Sequence, residues 1–307
     1  MLTLIHSNRF ADHLTPPGHP ERPERAEAMA AAVNRFRVGG GVVAEPRRAS
    51  DDDLVRVHSR QYVDAISGTR GRAVMLDPDT FTSPDSDDVA RLAAGAVLDG
   101  VDLAMDGPPE AHALAVVRPP GHHAEADRAM GFCLYNNIAV GAAYARSRGA
   151  GRVAIVDYDV HHGNGTQGIF YDDPTVLYIS SHQFPFYPGT GAANETGRGP
   201  GLGFTLNLPL EAGAGDEDVM SRYQGEALPA LDAFRPDLLL ISAGFDAHER
   251  DPLGGCRMTT GGFRRLTAML IEAAGRLCDG RAVMVTEGGY DLTTLGECLD
   301  AVIDAAR

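Results

Sequence analysis

The sequence predicts an α/β protein with a three-layer αβα architecture, in which helices cover both faces of a central, mainly parallel sheet. Apolar runs of four to six residues, rich in β-branched side chains, recur along the chain, and longer segments of helical periodicity separate them. Strands buried on both faces have this continuous apolar pattern, because crossover helices cover a parallel sheet on both sides.

Each predicted strand is a short apolar run that ends at polar or turn-forming residues. These runs occupy residues 2–6, 112–117, 152–158, 176–180, 204–208, 237–241 and 282–286. Apolar residues at helical spacing predict helices over 23–36, 51–66, 87–105, 137–148, 216–234, 260–277 and 295–306. No repeat or interdomain linker divides residues 1–307, so we expect a single domain.

The composition excludes several classes of protein. The 307 residues carry 27 Lys and Arg against 42 Asp and Glu, a formal net charge of −15, which repels nucleic acid. No apolar run approaches the roughly 18 residues of a membrane span, and the N-terminus does not have the pattern of a signal peptide. The cysteines at 133, 256, 278 and 298 form no CxxC pair. We therefore expect a cytoplasmic protein that binds neither nucleic acid nor a membrane.

Polar clusters follow four of the predicted strands, at residues 118–123, 157–162, 242–248 and 287–290. The carboxyl ends of parallel strands meet at one edge of the sheet, and ligands of open α/β sheets bind there. We therefore expect these four segments to converge on one site.

The first candidate site is a metal centre. Alternate residues of a strand share one face, so Asp157, Asp159 and His161 point the same way where the extended geometry persists. With Asp246 after the next apolar strand, Asp159 and His161 form a set of three ligands that suits Zn²⁺ or Fe²⁺ and leaves a fourth position open. The competing interpretation is that the acids cap helices or turns and the histidine packs.

The tandem histidines His122 and His123 follow a rigid Pro-Pro-Gly loop. Imidazoles have pKa values that suit proton transfer near neutrality, and each needs a partner that fixes its tautomer. Asp157 and Asn164 are the candidates for these partners. The competing interpretation is that both histidines are exposed loop residues.

Aromatic residues accompany these groups. Tyr290 follows two glycines, and we expect these to let its hydroxyl swing onto a substrate carbonyl. Phe132, after Gly131, and Tyr187 predict a narrow apolar slot that accepts an unbranched alkyl stem, unless the rings serve ordinary core packing.

Together the motifs RPPGHH, GFCLYNN, DYDVHHGNGTQ, SAGFDAH and EGGY resemble those of the zinc-dependent histone deacetylases, which have the arginase/deacetylase fold. The similarity extends from residue 19 to residue 290. It is strongest to bacterial relatives of the class II enzymes and to acetylpolyamine amidohydrolases.

The resemblance implies a role for each matching residue. Asp159, His161 and Asp246 bind zinc or iron, His123 is the general base and acid, and His122 steadies charge. The resemblance also implies that Asp157 pairs with His122, that Asn164 pairs with His123, and that Tyr290 polarises the acetyl carbonyl. The remaining implied positions are a substrate tunnel at Gly131, Phe132, Tyr187 and Leu253, a K⁺ or Na⁺ site at Asp157, Asp159, His161 and Ser180, and an acetate channel at Arg25.

The resemblance implies a deacetylase that releases acetate from acyl-lysine or a similar alkyl amide, and a homo-oligomer is compatible with it. Leu253 stands where a polyamine-specific branch carries Glu, which favours acyl-lysine peptides over acetylpolyamines. The acids Asp77, Asp79 and Asp85 either grip a substrate or, as we expect, are solvated loop charges. Two rival hypotheses are an arginase-like dinuclear hydrolase and a non-catalytic acyl-lysine reader.

Overall fold

The computed structural model describes residues 1–307, and its main sheet has eight strands with every pairing parallel. The strands are β1 (Leu2–Ile5), β2 (Val42–Ala44), β3 (Val74–Met75), β4 (Phe81–Thr82), β5 (His112–Ala115), β6 (Val153–Asp157), β7 (Val176–Gln183), β8 (Thr205–Leu210), β9 (Leu238–Ala243) and β10 (Ala282–Thr286). Their order is β2-β1-β5-β10-β9-β6-β7-β8, and β3 and β4 form a separate antiparallel hairpin.

The helices are α1 (Glu24–Val38), α2 (Asp51–Leu54), α3 (Arg60–Ser67), α4 (Ser86–Asp106), α5 (Asn137–Ser147), α6 (Asn164–Phe170), α7 (Asp216–Arg222), α8 (Leu228–Phe234), α9 (Thr260–Leu277) and α10 (Leu292–Ala305). A π-helical turn, Tyr223–Ala227, joins α7 to α8. No helix is both long enough and apolar enough to cross a bilayer.

Two apolar cores lie on opposite faces of the sheet. Ala154 and Val156 of β6 belong to a core of 43 buried residues, which includes side chains of α1 and α7 to α10. Val153 and Ile155 of the same strand belong to a core of 27 buried residues, with α4 and α5. Because alternate residues of one strand supply the two cores, helices cover both faces, and the predicted three-layer architecture is confirmed.

Several elements differ from the sequence prediction. The helix predicted over 51–66 is two helices, because the Ser59 hydroxyl caps α3 by accepting the N–H of Tyr62 at 3.2 Å, while Ser59 N–H donates to Ala126. The sequence analysis also missed β2 and the β3–β4 hairpin, whose strands are only two or three residues long. It missed α6 as well, because two glycines within its seven residues lower its helix propensity.

The end of β6 corrects one part of the site prediction. The strand stops at Asp157, so Asp159 and His161 lie in a bend rather than on one face of an extended strand. The side chains of the segment hold this bend: Asp159 N–H donates to Asp157 Oδ1 at 3.2 Å, and His161 N–H donates to Asp159 Oδ1 at 2.9 Å. The approach of these groups therefore depends on a folded turn and not on the period of a strand.

Candidate active site

Asp159, His161 and Asp246 form a buried cluster at the carboxyl end of the sheet. One ligand atom from each residue lies within 4.8 Å of the others. His161 Nδ1 is 3.1 Å from Asp159 Oδ1 and 3.1 Å from Asp246 Oδ2. The register of the adjacent strands β6 and β9 pairs Asp157 with Ser242, so the loops that follow the two strands bring these groups together.

The electrostatics of the cluster call for a cation. Burial disfavours a charged imidazole, yet the carboxylates of Asp159 and Asp246 raise the pKa of His161 to about 10. Burial and the neighbouring charge of Asp159 raise the pKa of Asp246 to about 7. Two carboxylates thus concentrate negative charge beside one imidazole, and this donor set fits Zn²⁺ or Fe²⁺, which would take the place of protons.

Two glycines make room for the cluster. A Cβ atom at Gly244 would collide with the Asp159 carboxylate, and one at Gly288 would collide with the Asp246 carboxylate. The N–H of Gly288 instead donates to Asp159 Oδ2 at 2.8 Å. The backbone of the loops after β9 and β10 therefore approaches the carboxylates as closely as only glycine permits.

The tandem histidines lie beside this cluster. His122 Nδ1 donates to Asp157 Oδ2 at 3.0 Å, and His123 Nδ1 lies 2.8 Å from Asn164 Oδ1. The Asn164 Nδ2 group donates to the carboxylate of Glu125 at 2.9 Å, which fixes the orientation of the amide. Asn164 Oδ1 must therefore accept a hydrogen bond from His123 Nδ1, and His123 Nε2 keeps a free lone pair.

Their surroundings give the two rings opposite pKa shifts. Burial opposes charge on His122, but the carboxylates of Asp157 and Asp159 outweigh it and hold the pKa of His122 well above its usual value. Burial and the charges of His122 and His161 hold the pKa of His123 well below its usual value. These opposite shifts favour charge on His122 and a neutral ring at His123.

Hydrogen bonds hold the backbone of the loop that carries Tyr290. Gly288 N–H donates to Asp159, and the Gly289 carbonyl accepts from Arg25 Nε at 2.7 Å. The Arg25 guanidinium also lies 5.0 Å from the centre of the Tyr290 ring. The two glycines therefore serve close packing of this loop.

A cavity of about 120 Å³ opens onto these groups. It is lined by Asp79, His123, Gly131, Phe132, His161, Tyr187, Leu253 and Tyr290. The four predicted tunnel residues are among them. Phe132 packs edge-on against Tyr290 at 5.7 Å, and Tyr187 packs edge-on against His123 at 5.2 Å. Asp79, a partly buried residue between β3 and β4, also lines the cavity, which favours the alternative that it contacts a substrate.

Arg25, predicted for the acetate channel, and Ser180, predicted for the K⁺ or Na⁺ site, do not line this cavity. Both are fully buried. Arg25 donates to the Glu287 carbonyl at 2.7 Å and pairs with Glu21 at 2.9 Å. Ser180 lies beside Asp157 in the register of β6 and β7, and its hydroxyl contacts His182 Nδ1 at 2.9 Å.

A family model of the histone deacetylase domain matches residues 19–306 of this sequence. The chain belongs to the histone deacetylase family. This confirms the resemblance that the motifs indicate. The crystal structure of the HDA15 HD domain has a TM-score of 0.93 with this chain, at 41% identity, and the match covers 99% of this chain and 87% of that chain.

Relatives of this chain come from plants, bacteria and archaea. Histone deacetylase 15 of Arabidopsis thaliana is 44% identical over 292 residues, which are 93% of this chain and 52% of the plant protein. The histone deacetylase-like amidohydrolase of Pseudomonas aeruginosa is 42% identical, over 94% of this chain and 76% of that protein. A probable deacetylase of Archaeoglobus fulgidus is 38% identical, over 94% of this chain and 81% of that protein. The chain thus spans about half the length of the plant relative.

The sequence analysis missed residues that support the site. Glu287 is buried, accepts the N–H groups of Gly121 and His122 at 2.6 and 3.2 Å, and thereby holds the histidine loop. Burial raises the pKa of Glu287 to about 7. Tyr178 donates to Asp157 Oδ2 at 3.1 Å. Glu287 belongs to the EGGY motif, so its position after a strand was a usable signal, whereas no local pattern marks Tyr178.

Proposed function

We propose that this chain is a zinc-dependent deacetylase that hydrolyses acyl-lysine side chains or similar alkyl amides to acetate and a free amine. One observation carries the proposal: His161 of the three-residue cluster, the neutral His123 and Tyr290 all line the same small cavity. A metal ligand, a base and an oxyanion donor that face one space are the parts that amide hydrolysis requires.

Asp159, His161 and Asp246 are the residues that would hold the ion, with zinc favoured and iron(II) also suited to the donor set. When bound, the ion supplies Lewis acidity toward the amide carbonyl and toward water. The structure brings together one such group, which supports a mononuclear site over an arginase-like dinuclear one.

His123 is the proposed general base and acid. Its Nδ1 donates to Asn164, so its Nε2 accepts the proton of the attacking water and then delivers it to the departing amine nitrogen. His122 stays protonated beside Asp157 and steadies the negative charge that develops during attack. The neutral His123 thus transfers the proton, and the charged His122 stabilises the negative charge.

Tyr290 is the proposed donor to the carbonyl oxygen as that oxygen becomes an anion. Burial and the charge of Asp246 raise the pKa of Tyr290 well above its usual value, so the phenol keeps its proton at neutral pH. A donor that is already in place strengthens its hydrogen bond in the transition state without reorganisation.

The tunnel residues are proposed to select the substrate. Gly131, Phe132, Tyr187 and Leu253 surround a space that fits an unbranched alkyl stem, and a neutral Leu253 favours acyl-lysine. Asp79 at the same cavity favours a second candidate, an acetylpolyamine, because a carboxylate there attracts the cationic remainder of such a substrate.

Three further assignments belong to this proposal. The buried positions of Asp157, Asp159, His161 and Ser180 support a K⁺ or Na⁺ site, and the burial of Arg25 behind Tyr290 supports an acetate channel. The four cysteines are buried and unpaired, which supports a reducing, cytoplasmic location. A homo-oligomer stays a prediction.

A competition assay tests the proposal. Purified enzyme is offered an acetyl-lysine peptide, an acetylpolyamine and longer acyl-lysines together, and the rate of each hydrolysis is measured with and without a hydroxamate inhibitor. We expect hydroxamate-sensitive release of acetate, fastest from the peptide. Faster hydrolysis of the polyamine would select the second candidate, and binding without hydrolysis would indicate an acyl-lysine reader.

A further inference from the structure

Asp251 is a buried carboxylate whose hydrogen bonds go to backbone N–H groups. Its Oδ2 accepts from Tyr290 at 2.6 Å and from Asp291 at 3.2 Å, and its Oδ1 accepts from Leu253 at 2.9 Å. Only 6% of the residue is exposed, and it forms no ion pair. A buried, unpaired carboxylate is costly, so its place in the fold calls for an explanation beyond packing.

The three hydrogen bonds connect two parts of the site. Tyr290 and Leu253 both line the substrate cavity, whereas Asp251 itself does not. On the other side of the loop, Arg25 holds the carbonyl of Gly289 and lies over the Tyr290 ring. The backbone at Tyr290 is therefore clamped between a cation and a carboxylate, and neither of these groups touches the cavity.

We propose that Asp251 is a positioning residue, which fixes the Tyr290 phenol relative to the tunnel wall at Leu253. The inference rests on the proposed function, because it assigns to Asp251 the placement of the oxyanion donor. A donor that is displaced by a fraction of an ångström stabilises the transition state less while the substrate still binds. The expected defect is therefore in kcat rather than in KM.

The Asp251→Asn variant removes one acceptor and little else. The asparagine amide keeps one oxygen as an acceptor. Its NH₂ group replaces the other oxygen and cannot accept a hydrogen bond from the backbone N–H that it faces. We expect kcat for an acetyl-lysine peptide to fall about tenfold or more, with KM changed about twofold at most. Bound zinc and the thermal unfolding midpoint report whether the variant folds. Asp251→Glu keeps both carboxylate oxygens but moves them by one methylene. This variant replaces Asp251→Asn in the same kinetic test if Asp251→Asn does not fold.

A matched control is available at the opposite end of the sheet. There the Asp237 carboxylate accepts the N–H of Arg152 at 2.8 Å, far from the cavity. We expect Asp237→Asn to leave kcat and KM unchanged. A folded Asp251 variant with the kcat of the wild type overturns the inference.

A double-mutant cycle shows whether Asp251 acts through Tyr290. The rates are measured on a trifluoroacetyl-lysine peptide, whose activated carbonyl keeps slow variants measurable. We expect Asp251→Asn to cost no more than about twofold in the Tyr290→Phe background, because the hydroxyl that it positions is gone. If the loss of rate in the double variant equals the product of the losses in the two single variants, Asp251 does not act through the Tyr290 hydroxyl.

A crystal structure of Asp251→Asn supplies a readout that does not depend on activity. We expect the Tyr290 ring to be displaced from its wild-type place, and an unmoved ring overturns the inference even if the enzyme hydrolyses none of the amides tested. A wild-type enzyme that is inactive on every amide would contradict the proposed function alone.

Discussion

The rings of His122 and His123 lie 4.1 Å apart, yet their Nδ1 atoms donate to different kinds of acceptor, the Asp157 carboxylate and the Asn164 amide. A carboxylate stabilises an imidazolium, and an amide oxygen only orients a neutral ring. This difference assigns the charge to His122 and the free lone pair to His123.

We expect His123→Ala to lower kcat about 10²- to 10⁴-fold, because general acid–base catalysis by one side chain contributes that much. Zinc content measured by elemental analysis should not change, since His123 is not in the ligand cluster. His112→Gln, a histidine change at the opposite end of the sheet, is the control and should keep wild-type kcat. Undiminished turnover by the alanine variant would refute the role of His123.

The pH dependence of kcat/KM tests the protonation state. Burial and the charge of His122 lower the pKa of His123, so activity should persist below pH 6.5 and fall as the pH drops through the lowered pKa. Asn164→Asp places a carboxylate at His123 Nδ1, raises the pKa of the ring and moves the acid limb to higher pH.

Gly168→Asp is the control for the added charge, because position 168 is an exposed site on the same helix, α6. It should leave the acid limb in place. An acid limb that stays in place or moves to lower pH in Asn164→Asp would contradict the assignment of His123 as the base.

The free energy of unfolding tests the contribution of the buried carboxylate of Glu21, which pairs with Arg25 and Arg118. Burial opposes ionisation of Glu21, but Arg118 and Arg25 lower the pKa of this carboxyl to about 2. Its contribution to stability is complete above the unfolded-state value of 4.5 and is lost as the pH falls from 4.5 toward 2. Glu21→Gln leaves buried arginines without their partner, and we expect a loss of about 3–5 kcal/mol at pH 7.

Urea unfolding of metal-free wild type and Glu21→Gln measures this difference. We expect the gap in free energy of unfolding to narrow as the pH falls below 4.5. Asp172→Asn, which breaks an exposed pair with Arg198, is the control and should leave the free energy nearly unchanged. A gap that is constant with pH would show that the Glu21 charge does not contribute.

The preference between an acetylpolyamine and an acetyl-lysine peptide tests the role of Leu253 in the tunnel. Leu253→Glu adds a carboxylate at the cavity, and we expect the kcat/KM ratio of acetylpolyamine to acetyl-lysine peptide to rise about tenfold, which corresponds to roughly 1.4 kcal/mol. Leu253→Gln has the same shape without the charge and should leave the ratio near that of the wild type. An equal effect of both variants would assign the change to shape rather than charge.

The sequence was most informative where apolar runs are long and buried. The central strands β6 and β9 are buried along their whole length, so their apolar runs predict parallel pairing directly. The edge strand β2 has three residues, and its Val42 is largely exposed, so it carries no such pattern. The motifs predicted the candidate ligands and histidines, and the structure brings those residues together.

Supporting residues were harder to find, because their contacts join distant segments through the backbone. Glu287 holds the N–H of Gly121, 166 residues away, and Asp251 holds the N–H of Tyr290, 39 residues away. No side-chain pattern encodes a hydrogen bond to a backbone N–H of another loop. The place of Asp79 at the cavity was hidden for a related reason, since only the folded hairpin brings it there.

A zinc titration tests the central claim most directly. Metal-free protein receives increasing zinc, and acetate released from an acetyl-lysine peptide is measured at each addition. We expect acetate release to rise in proportion and reach a plateau at about one ion per chain, with none from Asp246→Ala at the same zinc concentration. Release that survives a chelator, requires two ions per chain, or stays absent with one ion bound would contradict the account.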